Sequence, residues 1–182
     1  KSFLCETPFK WAVKNGFADF LRKCLAAARK RSGVEGFLDD ALREAAAEGK
    51  IECMEILLTA GANPHKRDTL HRTALHHAAG SGSVQCIIKL HEVGSDMNAQ
   101  DYNGETPLHY AARDNNVAIV NELIFRGAVL DSYSFDNVSN KRKTPLQVAA
   151  LNNASETTSA LIKAGALGDV GLIEEFVKKN TI

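Results

Sequence analysis

The chain reads as an all-α protein, a solenoid of stacked helix pairs with hairpin fingers protruding between them. Three observations point there. A seven-residue box recurs at a fixed spacing, one kind of turn residue follows each box at the same distance, and a glycine closes most of the apolar runs that come next. A segment repeated with a period of roughly 20–50 residues is one supersecondary unit that cannot bury its apolar face alone, so neighbours stack to make the core.

The clearest box is Thr106-Pro107-Leu108-His109-Tyr110-Ala111-Ala112. At one constant interval towards the N-terminus come Thr73-Ala74-Leu75-His76-His77-Ala78-Ala79, then Asp40-Ala41-Leu42-Arg43-Glu44-Ala45-Ala46, then Thr7-Pro8-Phe9-Lys10-Trp11-Ala12-Val13. Towards the C-terminus, Thr144-Pro145-Leu146-Gln147-Val148-Ala149-Ala150 follows after a longer interval.

Each element has a local reason. Thr106 is a good N-cap, and Pro107 sits at the first helical position, where its missing N–H costs nothing. Leu108, Ala111 and Ala112 then share one face of a short helix, and the alanines let a neighbouring helix approach closely. Nine residues after the threonine position stand Gly16, Gly49, Gly82, Asn115 and Asn153, residues that accept positive φ and end a helix. A second helix follows, with Val117, Val120, Leu123 and Ile124 on its apolar side. It closes at Gly127, matched by Gly61, Gly94 and Gly165. The first copy has Ala28 there, so its second helix is expected to run on or end differently. The polar stretch Asp96–Glu105 carries the tight-turn dipeptide Asn103-Gly104 and reads as a protruding β-hairpin finger.

Box, turn and period together resemble the ankyrin repeat family, whose signature is a helix pair opened by T-P-L-H-x-A-A every ~33 residues. The resemblance covers roughly residues 7–166. It implies a single ankyrin-repeat domain over 1–182, with repeats at about 7–39, 40–72, 73–105, 106–143 and 144–166. Residues 167–182 then form a C-terminal partial repeat or a capping helix, with Leu172, Ile173, Phe176 and Val177 on its apolar side.

Composition agrees. The chain is 45% hydrophobic and 24% charged, with 22 basic and 22 acidic residues, the profile of an ordinary globular protein. No apolar run approaches a membrane span and no signal peptide is visible, so no membrane insertion is expected. The sequence opens just before a box without an initiator methionine, as expected of a domain excised from something longer. Charge is balanced overall with no concentrated basic surface, which argues against a nucleic-acid partner. Arg29-Lys30-Arg31 reads as a solvated charge run at a helix end. Cys5, Cys24, Cys53 and Cys86 are scattered without a C-x-x-C pair. Reduced, structural thiols in an intracellular, cytoplasmic or nuclear setting are expected.

Chemistry is thin. A zinc reading would use His71 and His76 with a cysteine such as Cys86, but no ligand spacing repeats. In the resemblance, His76 and His109 fill a box position used structurally, bonding to neighbouring backbone. Nothing supplies an oxyanion hole for a Cys–His nucleophile, and Gly80-Ser81-Gly82-Ser83 lacks the lysine of a phosphate loop. No catalysis, cofactor or metal is expected.

Three departures from the repeat stand out. The finger Ser132–Lys143 holds five extra residues, with Tyr133, Phe135 and the basic run Lys141, Arg142 and Lys143. Partner contact suits such a loop, and so does neutral insertion. In Asp68–Arg72, His71 stands where a glycine is expected, leaving Leu70 either exposed beside Arg72 or tucked against its neighbour. After Gly165-Ala166 no finger follows.

Fingers and first helices of the resembling family line a concave, partner-binding side. Carried over, the exposed positions are Thr69, Leu70 and Arg72 in one finger and Tyr102, Asn103 and Glu105 in the next. The first-helix positions are Gly80 and Ser81, then Arg113 and Asp114, then Leu151 and Asn152. Tyr102 with Arg113 is the favoured pair, because Tyr and Arg are enriched at interface hot spots. Asn98 resembles an acceptor for asparagine hydroxylation, though that residue serves first to fix the hairpin. The expected function is a protein–protein interaction module, monomeric, that recruits another protein through its concave face. The alternative is a regulatory or assembly segment packing on another part of its parent chain, within a larger enzyme, channel or transcription regulator. An apolar patch would favour packing on its own chain, and a mixed aromatic and charged one recruitment.

Overall fold

A computed structural model of the chain describes residues 8–28, 35–136 and 141–167. Thr7, Cys5, the Arg29–Arg31 cluster, residues 137–140 of the long finger and the C-terminal helix expected beyond residue 167 lie outside the described residues, as do the side chains of Glu35, Asp136 and Lys141. Two compact units emerge, one within residues 1–69 and 73–95, the other within 70–72 and 96–182.

The first unit holds helices α1 (Pro8–Lys14), α2 (Ala18–Ala28), α3 (Glu35–Ala47), α4 (Ile51–Thr59), α5 (Ala74–Ser81) and α6 (Val84–Glu92). Each odd helix packs on the next even one. In one layer α3 lies between α1 and α5, and in the other α4 lies between α2 and α6. Ala41, Ala45, Ala46, Ala74, Ala78 and Ala79 are buried, so the first helices approach across small side chains. Leu21, Leu42, Met54, Leu57, Leu75, Ile87 and Leu90 fill the interior. Helix α2 does run on, through Ala28, where α4 and α6 span 9 residues each. Helix α3 begins at Glu35, so Asp40 is inside it rather than at a cap. No Thr-Pro start stands there, and the longer helix buries Leu38.

The second unit holds α7 (Pro107–Arg113), α8 (Val117–Phe125), strands β1 (Ser134–Asp136) and β2 (Lys141–Lys143), α9 (Pro145–Leu151) and α10 (Ser155–Lys163). Helix α7 packs on α8 and α9, and α10 packs on α8 and α9. Leu108, Ala111, Ala112, Val120, Leu123, Leu146 and Leu161 are buried. In α8 the interior position belongs to Ile119, fully buried, whereas Val117 and Ile124 are half-buried. The inward stripe therefore sits slightly round the helix from the one expected.

Caps and turns follow the residues closely. The backbone amides of Thr73 and Thr106 each donate to the Nδ1 of the histidine three residues on, at 3.1 Å. In the last box the Thr144 amide donates to Gln147 Oε1 at 2.9 Å instead. These are capping boxes in which the third helical residue reaches back to the cap. The residues after the first helices are all left-handed: Gly16, Gly49, Gly82, Asn115 and Asn153, with φ of 69°, 63°, 81°, 52° and 56°. At the ends of second helices the amides of Ala62, Ala128 and Ala166 reach back five residues to carbonyls at 3.0, 2.9 and 3.0 Å, the Schellman closure.

The fingers differ from the hairpins expected. Among the described residues only the long finger forms strands, paired antiparallel as Ser134↔Lys143, Phe135↔Arg142 and Asp136↔Lys141. Asp96–Glu105 closes without a ladder. The Asp101 carboxylate accepts from the amides of Asn103 and Glu105 at 2.8 and 2.9 Å, and the Asp101 amide donates to the Glu105 carbonyl at 3.0 Å. A side chain that satisfies the turn's amides leaves too few residues for strand pairing.

Candidate functional site

In the second unit, α7 and α9 lie side by side with the fingers rising beside their first turns. Between them runs a groove of about 500 Å³ lined by Asn103, Glu105, Tyr110, Arg113, Ser134, Phe135, Lys143, Val148, Leu151 and Asn152. Its apolar surface comes from Val148, from Phe135, which is 45% exposed, and from Leu151, 53% exposed. The groove is open to solvent and keeps exposed apolar side chains beside charged ones.

A network of hydrogen bonds and charges positions the polar wall. Tyr110, on α7, donates its hydroxyl to Asp101 Oδ2 at 2.9 Å. Burial, then that bond and the Asp101 charge, push the Tyr110 pKa far up, so the ring remains a neutral donor. Arg113 forms an ion pair with Glu105, and its guanidinium lies over the Tyr110 ring, 5.3 Å from the centroid. Burial works against the Arg113 charge, and the hydrogen bond to Glu105 together with the surrounding negative charge more than offsets it. The finger is thereby tied to the helix, and Arg113 presents its edge beside a neutralised carboxylate.

Tyr102 and Arg113, the two favoured contact positions, sit in separate arrangements. Tyr102, 64% exposed, stacks on His71 with centroids 3.8 Å apart and planes 20° from parallel. His71 has φ of 61°, the left-handed conformation expected of the glycine it replaces, and Gly104 adopts 73° at the matching place one repeat on. Leu70 is exposed rather than tucked away, and its carbonyl accepts from the Tyr102 amide at 3.1 Å. Arg72 is half-buried, near enough to Tyr110 to act on its charge.

The remaining candidates fall in different places. Asn103, Glu105, Arg113, Phe135 and Lys143 converge on the groove. Tyr133 and Arg142 are exposed on the long finger, and Asp114 is exposed just past the end of α7, outside the groove lining. Thr69 belongs to the first unit, where it lines a charged groove with Lys10, Asp40, Arg43, Glu44, Arg67, Asp68 and His77. There Asp40 pairs with Arg43, and Asp68 lies 3.2 Å from His77, the same places that Asp101 and Tyr110 hold in the second unit. Tyr110 and Val148, at the fifth box position, were not among the positions carried over from the family. That position reads Trp11, Glu44, His77, Tyr110 and Val148, and its variety between recurring neighbours was the available signal.

The two box histidines, His76 and His109, are spent on structure. His109 is fully buried; its Nδ1 accepts from Thr106 and its Nε2–H donates to the Lys143 carbonyl at 3.1 Å. Burial holds its pKa below the ordinary range, against the opposing pull of that carbonyl. His76 makes the same cap in the first unit. Among the described residues no group of three or more His, Cys, Asp and Glu is arranged to hold a metal. Cys24, Cys53 and Cys86 are free thiols whose pKa values burial pushes up. Asn98 bridges its neighbour: its Nδ2 donates to the Gly127 carbonyl at 3.3 Å and its Oδ1 accepts from Val129 at 2.7 Å.

The lowered His109 pKa fixes the sign of an acid effect. A base whose folded pKa lies below its unfolded value contributes stability that is complete above about pH 6.5 and is lost as pH falls through the folded pKa. His109→Gln, which copies Gln147 and keeps an acceptor for Thr106, is expected to lose less stability than wild type between pH 7.5 and 5.0. Urea midpoints of both proteins at the two pH values check this; equal losses would remove His109 as the source.

A family model described as ankyrin repeats (3 copies) matches residues 42–134 and 90–173, together well over half of the chain. No curated protein matches it. Among the described residues no helix is long and apolar enough to cross a membrane.

Proposed function

Since the chain belongs to the ankyrin repeat family, a family of protein-binding modules that typically perform no chemistry, we propose that it recruits a partner protein through the α7–α9 groove and the fingers beside it. One observation carries this reading. Phe135 and Leu151 remain about half exposed in a groove whose polar wall, Tyr110, Arg113 and Glu105, is already held in place. Fixed polar groups around exposed apolar anchors reduce the ordering cost of binding. Tyr102 on His71 and Tyr133 extend the same surface along the fingertips.

Leu151→Glu tests the groove without touching the core, since the side chain is already 53% exposed. Proteins retained from a lysate by the wild type are expected to fall at least about tenfold with the variant, the scale of a hot-spot loss. Circular dichroism checks that both stay folded. Identical retained proteins at identical levels would remove the groove from the interface.

A second reading has its own support in the first unit. Trp11 packs 5.5 Å from Phe17 and 5.6 Å from Phe20, and the three are 43%, 51% and 42% exposed. Phe20 stands at the helix position where Cys53, Cys86, Ile119 and Thr157 are buried. An aromatic patch of this kind suits packing against another part of a longer chain.

A further inference from the structure

Each finger of the second unit passes one backbone hydrogen bond to the next. The Leu70 carbonyl accepts from the Tyr102 amide at 3.1 Å, and one repeat on the Asn103 carbonyl accepts from the Phe135 amide at 2.6 Å. The Phe135 N–H therefore points away from β2, which makes Phe135↔Arg142 the pair of the ladder that exchanges no hydrogen bonds. By the same alternation, the N–H and C=O of Arg142 point away from β1. The sheet has two strands, and among the described residues no third segment pairs with β2. Arg142 is exposed there. Among the described residues, the ladder that steps across the fingers thus ends at the outward edge of β2.

An open edge is a template for another strand, and here charge selects which. Strand β2 is Lys141-Arg142-Lys143. Like charges directly opposite on paired strands destabilise them, and opposite charges stabilise them. A second copy pairing edge to edge would set this basic run against itself, so self-association is disfavoured. The carboxylates nearest the hairpin on α7's side are already committed, Glu105 to Arg113 and Asp101 to the turn amides and Tyr110. Residues 132–143 themselves carry three basic side chains against one acidic, Asp136, so the hairpin is basic in net effect.

We infer that the open edge of β2 takes an extended, acidic segment of a partner protein as a third strand. The inference rests on the recruiting role proposed above and adds the partner's chemistry. Lys143 belongs both to β2 and to the groove lining, so the edge and the groove form one continuous surface. Main-chain bonds to Arg142 supply affinity independent of side chain, and the basic run supplies the preference for acid.

The test uses the whole chain and a library of random 12-residue peptides displayed on phage, with enriched peptides then synthesised. Enriched peptides are expected to carry more Asp and Glu than the unselected library, and to slow amide exchange at Arg142 at least tenfold. Arg142→Pro removes the outward N–H at an edge position where proline is tolerated, and should weaken binding about tenfold, the scale of a lost backbone hydrogen bond. Arg142→Ala keeps the N–H and should weaken it only about two- to threefold through the lost cross-strand charge. Peptides without acidic excess, equal binding by Arg142→Pro and wild type, or no enrichment at all each overturn the inference. So does an Arg142 amide already protected without peptide, which would mean that the chain covers its own edge. A concentration-dependent dimer abolished by Arg142→Pro would make a second copy the occupant instead. If peptides lose affinity for Leu151→Glu but not for Arg142→Pro, the groove recruits and the strand inference alone fails. If neither variant matters, the recruiting surface itself is misplaced.

Discussion

Leu108→Ala is expected to destabilise the chain by about 3 kcal/mol, within the range of about 2–5 kcal/mol for truncating a fully buried leucine. Leu108 is completely buried in α7, the helix that packs on both α8 and α9. Its loss leaves a cavity in a core where alanines at 111, 112 and 149 cannot expand to fill it. In stacked repeats each helix pair depends on its neighbours, so the effect should extend through the second unit. Leu151→Ala, with the same chemistry on an exposed face of α9, should change stability by no more than about 0.5 kcal/mol. Urea unfolding followed by circular dichroism measures both. A Leu108 loss below about 1 kcal/mol would contradict its place in the core.

Gly104→Val should destabilise the finger by about 2–3 kcal/mol, from the left-handed cost of a side chain plus steric displacement. Gly104 has φ of 73°, and a Cβ there would stand 3.0 Å from the Tyr133 carbonyl oxygen. That oxygen is backbone, so relief requires the long finger to move. Movement there would pull Phe135 from the 2.6 Å bond its amide makes to Asn103. The variant should therefore lose partner binding along with stability, and faster amide exchange at Phe135 would be its local signature. His71 shows that a side chain can adopt this conformation at the matching place. A Gly104→Val protein with unchanged exchange at Phe135 would show that the fingers do not depend on this close approach.

The two variants probe parts of the molecule that differ in how readable they were. The box around Leu108, its threonine cap and its closing Asn115 follow from residue type and spacing. His71 in a glycine's place was visible as an anomaly, and its left-handed backbone followed from the register. The hairpin expected at Asp96–Glu105 was not formed, because Asp101 satisfies amides that a strand partner would otherwise take. Among the described fingers only the long one had enough residues on both sides of its turn to pair. The start of α3 at Glu35 also escaped the pattern, since nothing in a box shows how far a helix can extend ahead of it.

The candidate site was legible as a set of exposed positions and not as an arrangement. Arg113 and Tyr102 stood out as contact positions because both residue types favour interfaces. Yet Glu105 and Tyr110 hold Arg113, and His71 holds Tyr102.

Sequence alone determined the repeat, the family it resembles, the caps and the left-handed turns, because each of those is decided by one residue's backbone preference and a fixed period. Tertiary structure alone decided that Phe135, Leu151, Tyr110 and Lys143 share a groove, and that among the described residues the finger-to-finger ladder stops at Arg142. Those outcomes depend on which side chains win each hydrogen bond and ion pair when strands and helices pack, and that competition is settled across distances no spacing in the chain encodes.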